Sequence, residues 1–160
     1  MNKLKTTKQY NIIELDDKHY DEIAKVWEAS VRASHHFLSE EDIVYYRPLV
    51  VTQYLRNLKL YGVKTDRNLA GFIAIDNSKI EMLFIEPESM GKGIGQTLLH
   101  FALESFHCCE VDVNEQNTKA VTFYKNNGFN VVSRSGTDSD GKPFPILHLN
   151  LNTLDNAGGD

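Results

Sequence analysis

The stretch EPESMGKGIGQTLLHFALESF, Glu86 to Phe106, carries three glycines within five residues, at positions 91, 93 and 95. Before it lies an apolar run, KIEMLFIE. After it, Ile94, Leu98, Leu99, Ala102, Leu103 and Phe106 recur at helical spacing. A strand that runs into a glycine-rich turn and then a helix N-terminus is a backbone cradle for an anion. Successive N–H groups point into the turn, and the helix dipole adds partial positive charge. Missing side chains let phosphate oxygens approach the main chain. A tight turn alone would need one glycine, not three. Two familiar nucleotide loops do not fit. Lys92 is followed by Gly93 rather than Ser or Thr, and Gln96 stands where a dinucleotide fingerprint has its third glycine.

The remaining elements fall on both sides of this loop. YNIIEL (Tyr10 to Leu15) predicts a short strand, and Asp16 and Asp17 can cap a helix after it. Tyr20, Ile23, Trp27, Val31 and His35 share one helical face, so a first helix runs to about Ser34. Ser39, with Glu40, Glu41 and Asp42 after it, starts a second helix. That helix is expected to carry Val44, Leu55 and Leu58 inward and to kink or split at Pro48. KLYGVKT, NLAGFIAID and KIEMLFIE read as three strands, the last two joined by the turn Asp76-Asn77-Ser78. Beyond the glycine-led helix, CCEVDVN (Cys108 to Asn114) reads as a strand. Asn117 caps a helix over TKAVTFYKNN that Gly128 closes, and FNVVSRS and FPILHLNL form a last hairpin around SDGKP. The order β-α-α-β-β-β-α-β-α-β-β predicts an α/β sheet with an antiparallel meander in its middle.

A chain of 160 residues is expected to form a single domain over 1–152, with the polar, glycine-bearing 153–160 as a disordered tail. Net charge is −5, which argues against a nucleic-acid footprint and suits a cationic acceptor. No apolar run approaches membrane-spanning length, and MNKLKTTKQYN lacks the apolar segment of a secretory leader. Adjacent Cys108 and Cys109 are poorly placed to bridge each other and read as reduced, strand-embedded residues of a cytoplasmic protein. The histidines have no ligand spacing, so no metal is expected.

LFIEPESMGKGIG resembles the motif of the GNAT (GCN5-related) N-acetyltransferases, an apolar strand followed by [RQ]-x-x-G-x-[GA] opening a helix. Asn117, Ala120, Phe123, Tyr124, Gly128 and Phe129 stand at the spacing of the family's second motif, N-x-x-A-x-x-F-Y-x-x-x-G-F. Both motifs occur in order on the right elements. SVRASHHFLS, VNEQNTKAVTFYKNNGF and GKPFPILHL are further similar to bacterial acetyltransferases of the YjaB type. One departure is Met90, at the motif's Arg or Gln position, which removes a side-chain donor for a pyrophosphate. The resemblance implies a mixed, mostly antiparallel sheet of about seven strands with four helices, splayed to form an acetyl-CoA wedge.

It also implies an acetyl-CoA-dependent N-acetyltransferase with no metal. Gly91, Lys92, Gly93, Gly95 and Gln96 would hold the pyrophosphate, Phe84 and Ile85 would offer strand backbone to the pantetheine arm and the thioester oxygen, and Asn117 would touch the pantetheine. Tyr124 matches the family's general acid, which protonates the departing thiolate. Asp112, Glu81 and His35 are candidates for the base or for contacts to the acceptor, a primary amine of a small molecule or peptide. Alternatives are a non-catalytic acyl-CoA sensor and an acetyltransferase specific for a partner protein. A homodimer through exposed strand edges is compatible with this fold.

Overall fold

The computed structural model describes residues 10–151. The expected tail at 153–160 lies outside them. Seven strands form one sheet in the order β1-β2-β3-β4-β5-β7-β6: β1 (Ile12–Leu15), β2 (Lys59–Thr65), β3 (Asn68–Asp76), β4 (Lys79–Ile85), β5 (Glu110–Asn114), β6 (Phe129–Ser135) and β7 (Ile146–Leu151). All neighbours are antiparallel except β4 and β5. Four α-helices cover it: α1 (Tyr20–Ser34), α2 (Glu40–Leu49), α3 (Ile94–Phe106) and α4 (Thr118–Asn126).

Each face of the sheet buries its own core. Leu98, Leu99 and Ala102 of α3 pack on Ile73, Ile75, Ile80 and Val111. On the other face Ile23, Trp27 and Val31 of α1, with Ile43 and Tyr46 of α2, pack on Leu60, Phe72 and Ala74. Local chemistry starts the helices as expected. Asp16 caps a short 3-10 turn (Asp17–His19) that leads into α1. Ser39 and Asp42 form a reciprocal capping box at α2, and Asn117 Oδ1 accepts from Ala120 N at the start of α4.

Two expectations need correction, and a third takes an unexpected form. Val44 points to solvent, 62% exposed, while Leu55 is fully buried and Leu58 packs at the edge of the core. The inward stripe is Ile43, Tyr46 and Val50, at i, i+3 and i+7, and Val44 sits about 100° round the helix from it. Pro48 has no N–H for the helix ladder, and the α-helix ends one residue beyond it, at Leu49, where the expected split takes the form of a π-helical turn at Val50–Tyr54. Cys108 and Cys109 precede β5 instead of lying within it. Cys109 donates its N–H to Ser78 O (2.8 Å) and accepts from Leu151 N (2.7 Å), bridging the strands on both sides.

Candidate acetyl-transfer site

The sheet opens where β4 leaves β5. Only two residue pairs join them, Lys79 with Glu110 and Ile80 with Val111. Directly after Ile80, Glu81 is an extra residue opposite β3, since Ile80 pairs with Ile75 and Met82 with Ala74. Such a bulge bends its strand and reverses the alternation of side chains beyond it. Ile80 accordingly packs under α3, whereas Met82 and Phe84 pack toward α1 and α2. The bulge also turns the rest of β4 away from β5, which leaves Phe84 and Ile85 on a free edge.

A cavity of about 390 Å³ fills this opening. Its walls include Phe84 and Ile85, the loop residues Met90, Gly91 and Gly93, the start of α3, and Asn117 and Tyr124 of the second motif. Gly91 and Gly93 have φ of +77° and +85°, and a Cβ at either would project into open space. Both the backbone angle and the clearance favour glycine here. Gly93 is the N-cap of α3 without a side-chain cap, and no acidic residue occupies the helix's first turn. The positive end of α3 is thus left without a carboxylate of its own, a setting that fits the phosphates of a CoA ester. Gly95 and Gln96 also line the cavity. Lys92 is exposed and does not line it, but its carbonyl accepts from Tyr10 Oη at 2.8 Å, which pins the loop. Met90 lines the cavity, half-exposed, with no donor to offer.

Tyr124 is 5% exposed and lies edge-on to Phe123 and Phe129, with ring centroids 5.3 and 5.6 Å away. Burial pushes its phenol above the ordinary tyrosine range, so the proton stays on. Its hydroxyl has no hydrogen-bond partner among the described residues.

A second cleft of about 620 Å³ lies under α1 and α2 and against β4 to β7. The two cavities share His35 and Phe84. Among the described residues the cleft walls carry four carboxylates, Glu81, Asp112, Asp138 and Asp140, and neither Lys nor Arg. Asp138 and Asp140, in the loop between β6 and β7, accept from Tyr46 and Tyr54, and Lys142 Nζ lies 3.4 Å from Asp42 Oδ1. These contacts tie the loop across to α2. Burial opposes ionisation of Asp112, yet hydrogen bonds from Lys79 and His148 more than offset it and hold its carboxyl below the usual range. Glu81 is pushed the other way, chiefly by burial, with Lys79 3.8 Å off in partial compensation.

His35 is 5% exposed at the junction of the cavities. Ser34 Oγ donates to Ser30 O (2.7 Å), so the 2.7 Å contact between Ser34 Oγ and His35 Nδ1 must be donated by the ring. Nε2 then keeps its lone pair. Burial, with a smaller contribution from the neighbouring His36, lowers the His35 pKa from 6.5 to about 4. Because the folded value lies below the unfolded one, unfolding takes up a proton between pH 6.5 and about 4, and stability falls as pH falls through that window. Chemical denaturation of wild type and His35→Asn at several pH values should show a steeper acid loss in the wild type, by up to ~1.4 kcal/mol per pH unit. Parallel curves would mean that His35 is solvated enough to titrate normally.

Sequence alone suggests Glu81, Asp112 and His35 as neighbours of the acceptor, and the structure brings all three to one cleft. It also brings His148 and Ser135 there, which motif spacing does not single out. The available signal is the last hairpin itself, because pairing β7 with β5 sets His148 directly opposite Asp112.

A sheet that parts beside a glycine-turned helix start, with a buried tyrosine in the opening, has the wedge that the GNAT resemblance implies. The acetyltransferase (GNAT) domain profile matches residues 28–145. The chain is 38% identical over 130 residues, 81% of its length and 89% of the other's, to the peptidyl-lysine N-acetyltransferase YjaB of Salmonella typhimurium strain LT2. Its structure resembles the solution structure of apo YjaB from Escherichia coli with a TM-score of 0.82 at 34% identity, covering 91% of this chain and 99% of that one. It also resembles the PaiA N-acetyltransferase of Thermoplasma acidophilum in complex with coenzyme A, with a TM-score of 0.67 at 25% identity, covering 88% and 98%. The chain belongs to the GNAT family of acetyltransferases and is YjaB-like within it. No helix among the described residues is long and apolar enough to cross a membrane.

Proposed function

We propose that this protein transfers the acetyl group of acetyl-CoA to the ε-amine of lysine in a peptide or protein. The observation that carries this reading is the pair of cavities meeting at His35 and Phe84. One ends in a bare-backbone cradle suited to phosphates. The other is lined, among the described residues, by four carboxylates and no Lys or Arg, with Trp27, Tyr46 and Phe144 as apolar walls. A lysine side chain has this same division, an alkyl stem carrying a cationic end. The peptidyl-lysine activity named for the YjaB relatives supports the same acceptor.

In this reading the loop Gly91–Gln96 holds the pyrophosphate, and the freed edge at Phe84 and Ile85 pairs with the pantetheine arm and gives an N–H to the thioester oxygen. Asn117 borders the arm. Tyr124 gives its proton to the departing sulfur. Glu81 receives the incoming ammonium, since Lys79 is shared with Asp112 and leaves it only partly neutralised. His35 Nε2 accepts an N–H of the deprotonated amine and fixes its approach. With a conjugate acid near pH 4, the ring serves this better than it serves as the base.

The test is thiol release from acetyl-CoA with lysine peptides, a polyamine and small primary amines as acceptors. Lysine peptides should exceed the small amines in kcat/KM by at least ~10-fold, because the cleft walls contact stem and charge together. Release with small amines alone would overturn the peptide assignment.

A further inference from the structure

Three polar side chains on the cleft face of β5, β7 and β6 form one hydrogen-bonded line with no part in the chemistry above. His148 Nδ1 lies 2.6 Å from Asp112 Oδ1, and His148 Nε2 lies 2.7 Å from Ser135 Oγ. Lys79 Nζ holds the other carboxylate oxygen of Asp112 at 2.8 Å. Strand register builds this line. Asp112 and His148 are direct partners across β5 and β7, so they share a face. On β6, Val131 pairs with Leu149 and Ser133 with His148, which makes Val132 an extra residue. Without that bulge, Val132 and Arg134 would share the face of His148. With it, Ser133 and Ser135 do.

The line has a direction. An ionised carboxylate only accepts, so Nδ1 carries its proton toward Asp112. In the neutral ring Nε2 then accepts the Ser135 hydroxyl proton, and Ser135 Oγ keeps lone pairs for the cleft that both residues line.

Resting on the lysine-acceptor reading, we propose that Ser135 and His148 are the proton exit for the acceptor amine, with Asp112 as the residue that positions the ring. The acceptor arrives as R–NH3⁺. One of its protons passes to Ser135 Oγ as the Ser135 proton passes to His148 Nε2, which leaves R–NH2 and an imidazolium facing the Asp112 carboxylate. The amine lone pair attacks the thioester carbon and the C–S bond breaks; Tyr124 gives its proton to the sulfur, and the second proton of the nitrogen passes to the Tyr124 phenolate, which restores the phenol. The imidazolium later releases its proton to water. The net change is R–NH3⁺ plus thioester to amide, thiol and one H⁺. The other base candidates are less suited: both Asp112 oxygens are hydrogen-bonded, Glu81 is the counter-charge for the arriving ammonium, and the buried His35 ring, with a pKa of about 4, accepts from the amine only once it is neutral.

The groups facing this relay from the packed elements are Lys79 and Glu81 of β4, Asp112 of β5, Asp138 and Asp140 of the β6–β7 loop, Tyr46, Tyr54 and His35. None of them replaces a lone pair at Ser135. His148→Gln should therefore lower kcat/KM for a lysine peptide by ~10²–10³ at pH 7, within the range for positioned proton transfer. The deficit should shrink to less than ~10-fold near pH 10, where a lysine amine of pKa ~10.4 supplies its own neutral form. A thia-lysine peptide, whose amine is more acidic, should also suffer less. Ser135→Ala should follow the same pH trend with a smaller loss.

A readout without turnover comes from ¹⁵N chemical shifts of the His148 ring in the free protein. The neutral ring should be the Nδ1–H tautomer, and Asp112→Asn should mix the tautomers. A deficit that is the same at every pH, undiminished activity of a folded His148→Gln protein, or an Nε2–H tautomer in the wild type would each overturn the relay while leaving lysine acetylation intact. A wild-type protein that acetylates no lysine peptide would overturn the acceptor reading and the relay with it.

Discussion

Tyr124→Phe is expected to lower kcat by ~10²–10⁴ while acetyl-CoA affinity stays within about twofold. The substitution keeps the ring edge-on to Phe123 and Phe129 and removes one hydroxyl that has no hydrogen-bond partner among the described residues. Nothing in the free protein is left unsatisfied by the change, so stability should hold. In the proposed function the loss belongs to the step at which sulfur departs, because a thiolate leaving into an apolar cavity has few other sources of a proton. Burial raises the phenol's pKa, but the same desolvation makes the thiolate more basic, so the transfer stays matched. That raised pKa also predicts the pH behaviour: the Phe variant should keep the wild-type profile, lowered by a constant factor up to about pH 10. This differs from His148→Gln, whose deficit should close as pH rises. Steady-state kinetics over pH 6 to 10, with chemistry shown to limit turnover, separates the two. A kcat within a few-fold of wild type would make Tyr124 a packing residue.

Residue types and local spacing make the elements readable. The bounds of β2 and β3 match the apolar runs, and the Asn117 and Ser39 caps sit where their hydroxyl or amide chemistry puts them. The shape of the glycine turn is also readable, because positive φ and bare backbone select glycine directly. Sequence does not show the two places where one inserted residue changes the face of a strand. The bulge at Glu81 opens the wedge, and the bulge at Val132 puts Ser135 on the cleft side. Both depend on what the neighbouring strand does. Neither Glu81 nor Val132 has a local signature, unlike a glycine bulge. The same ignorance of neighbours hides His148: as one histidine in an alternating strand it is unremarkable, and only its pairing with Asp112 gives it chemistry. Val44 departs from expectation for a simpler reason. Ile43 and Val44 both suit a core, and tertiary packing chose the face that contains Tyr46.

Gly93→Glu should abolish acetyl-CoA binding, the largest effect expected on ligand affinity. Wild type at a ligand concentration of about a hundred times Kd should gain ~2.7 kcal/mol, or roughly 5–10 °C in Tm for a chain of this size. The glutamate side chain would enter the open space at the start of α3, where it places a carboxylate on the N-terminal N–H groups to which the proposed function assigns the phosphates. Two consequences are mixed in this variant, since a non-glycine residue at φ +85° also strains the backbone by ~1–2 kcal/mol. Gly141→Glu separates them. Gly141 has φ +78° with open space around its Cα, but it lies in the β6–β7 loop and does not line the cradle cavity. Both variants should lose a similar amount of stability without ligand, measured by thermal unfolding. Only Gly141→Glu should recover the full ligand-induced shift. If Gly93→Glu recovers it too, the phosphates do not rest on this loop, and the three glycines answer only to the shape of the turn.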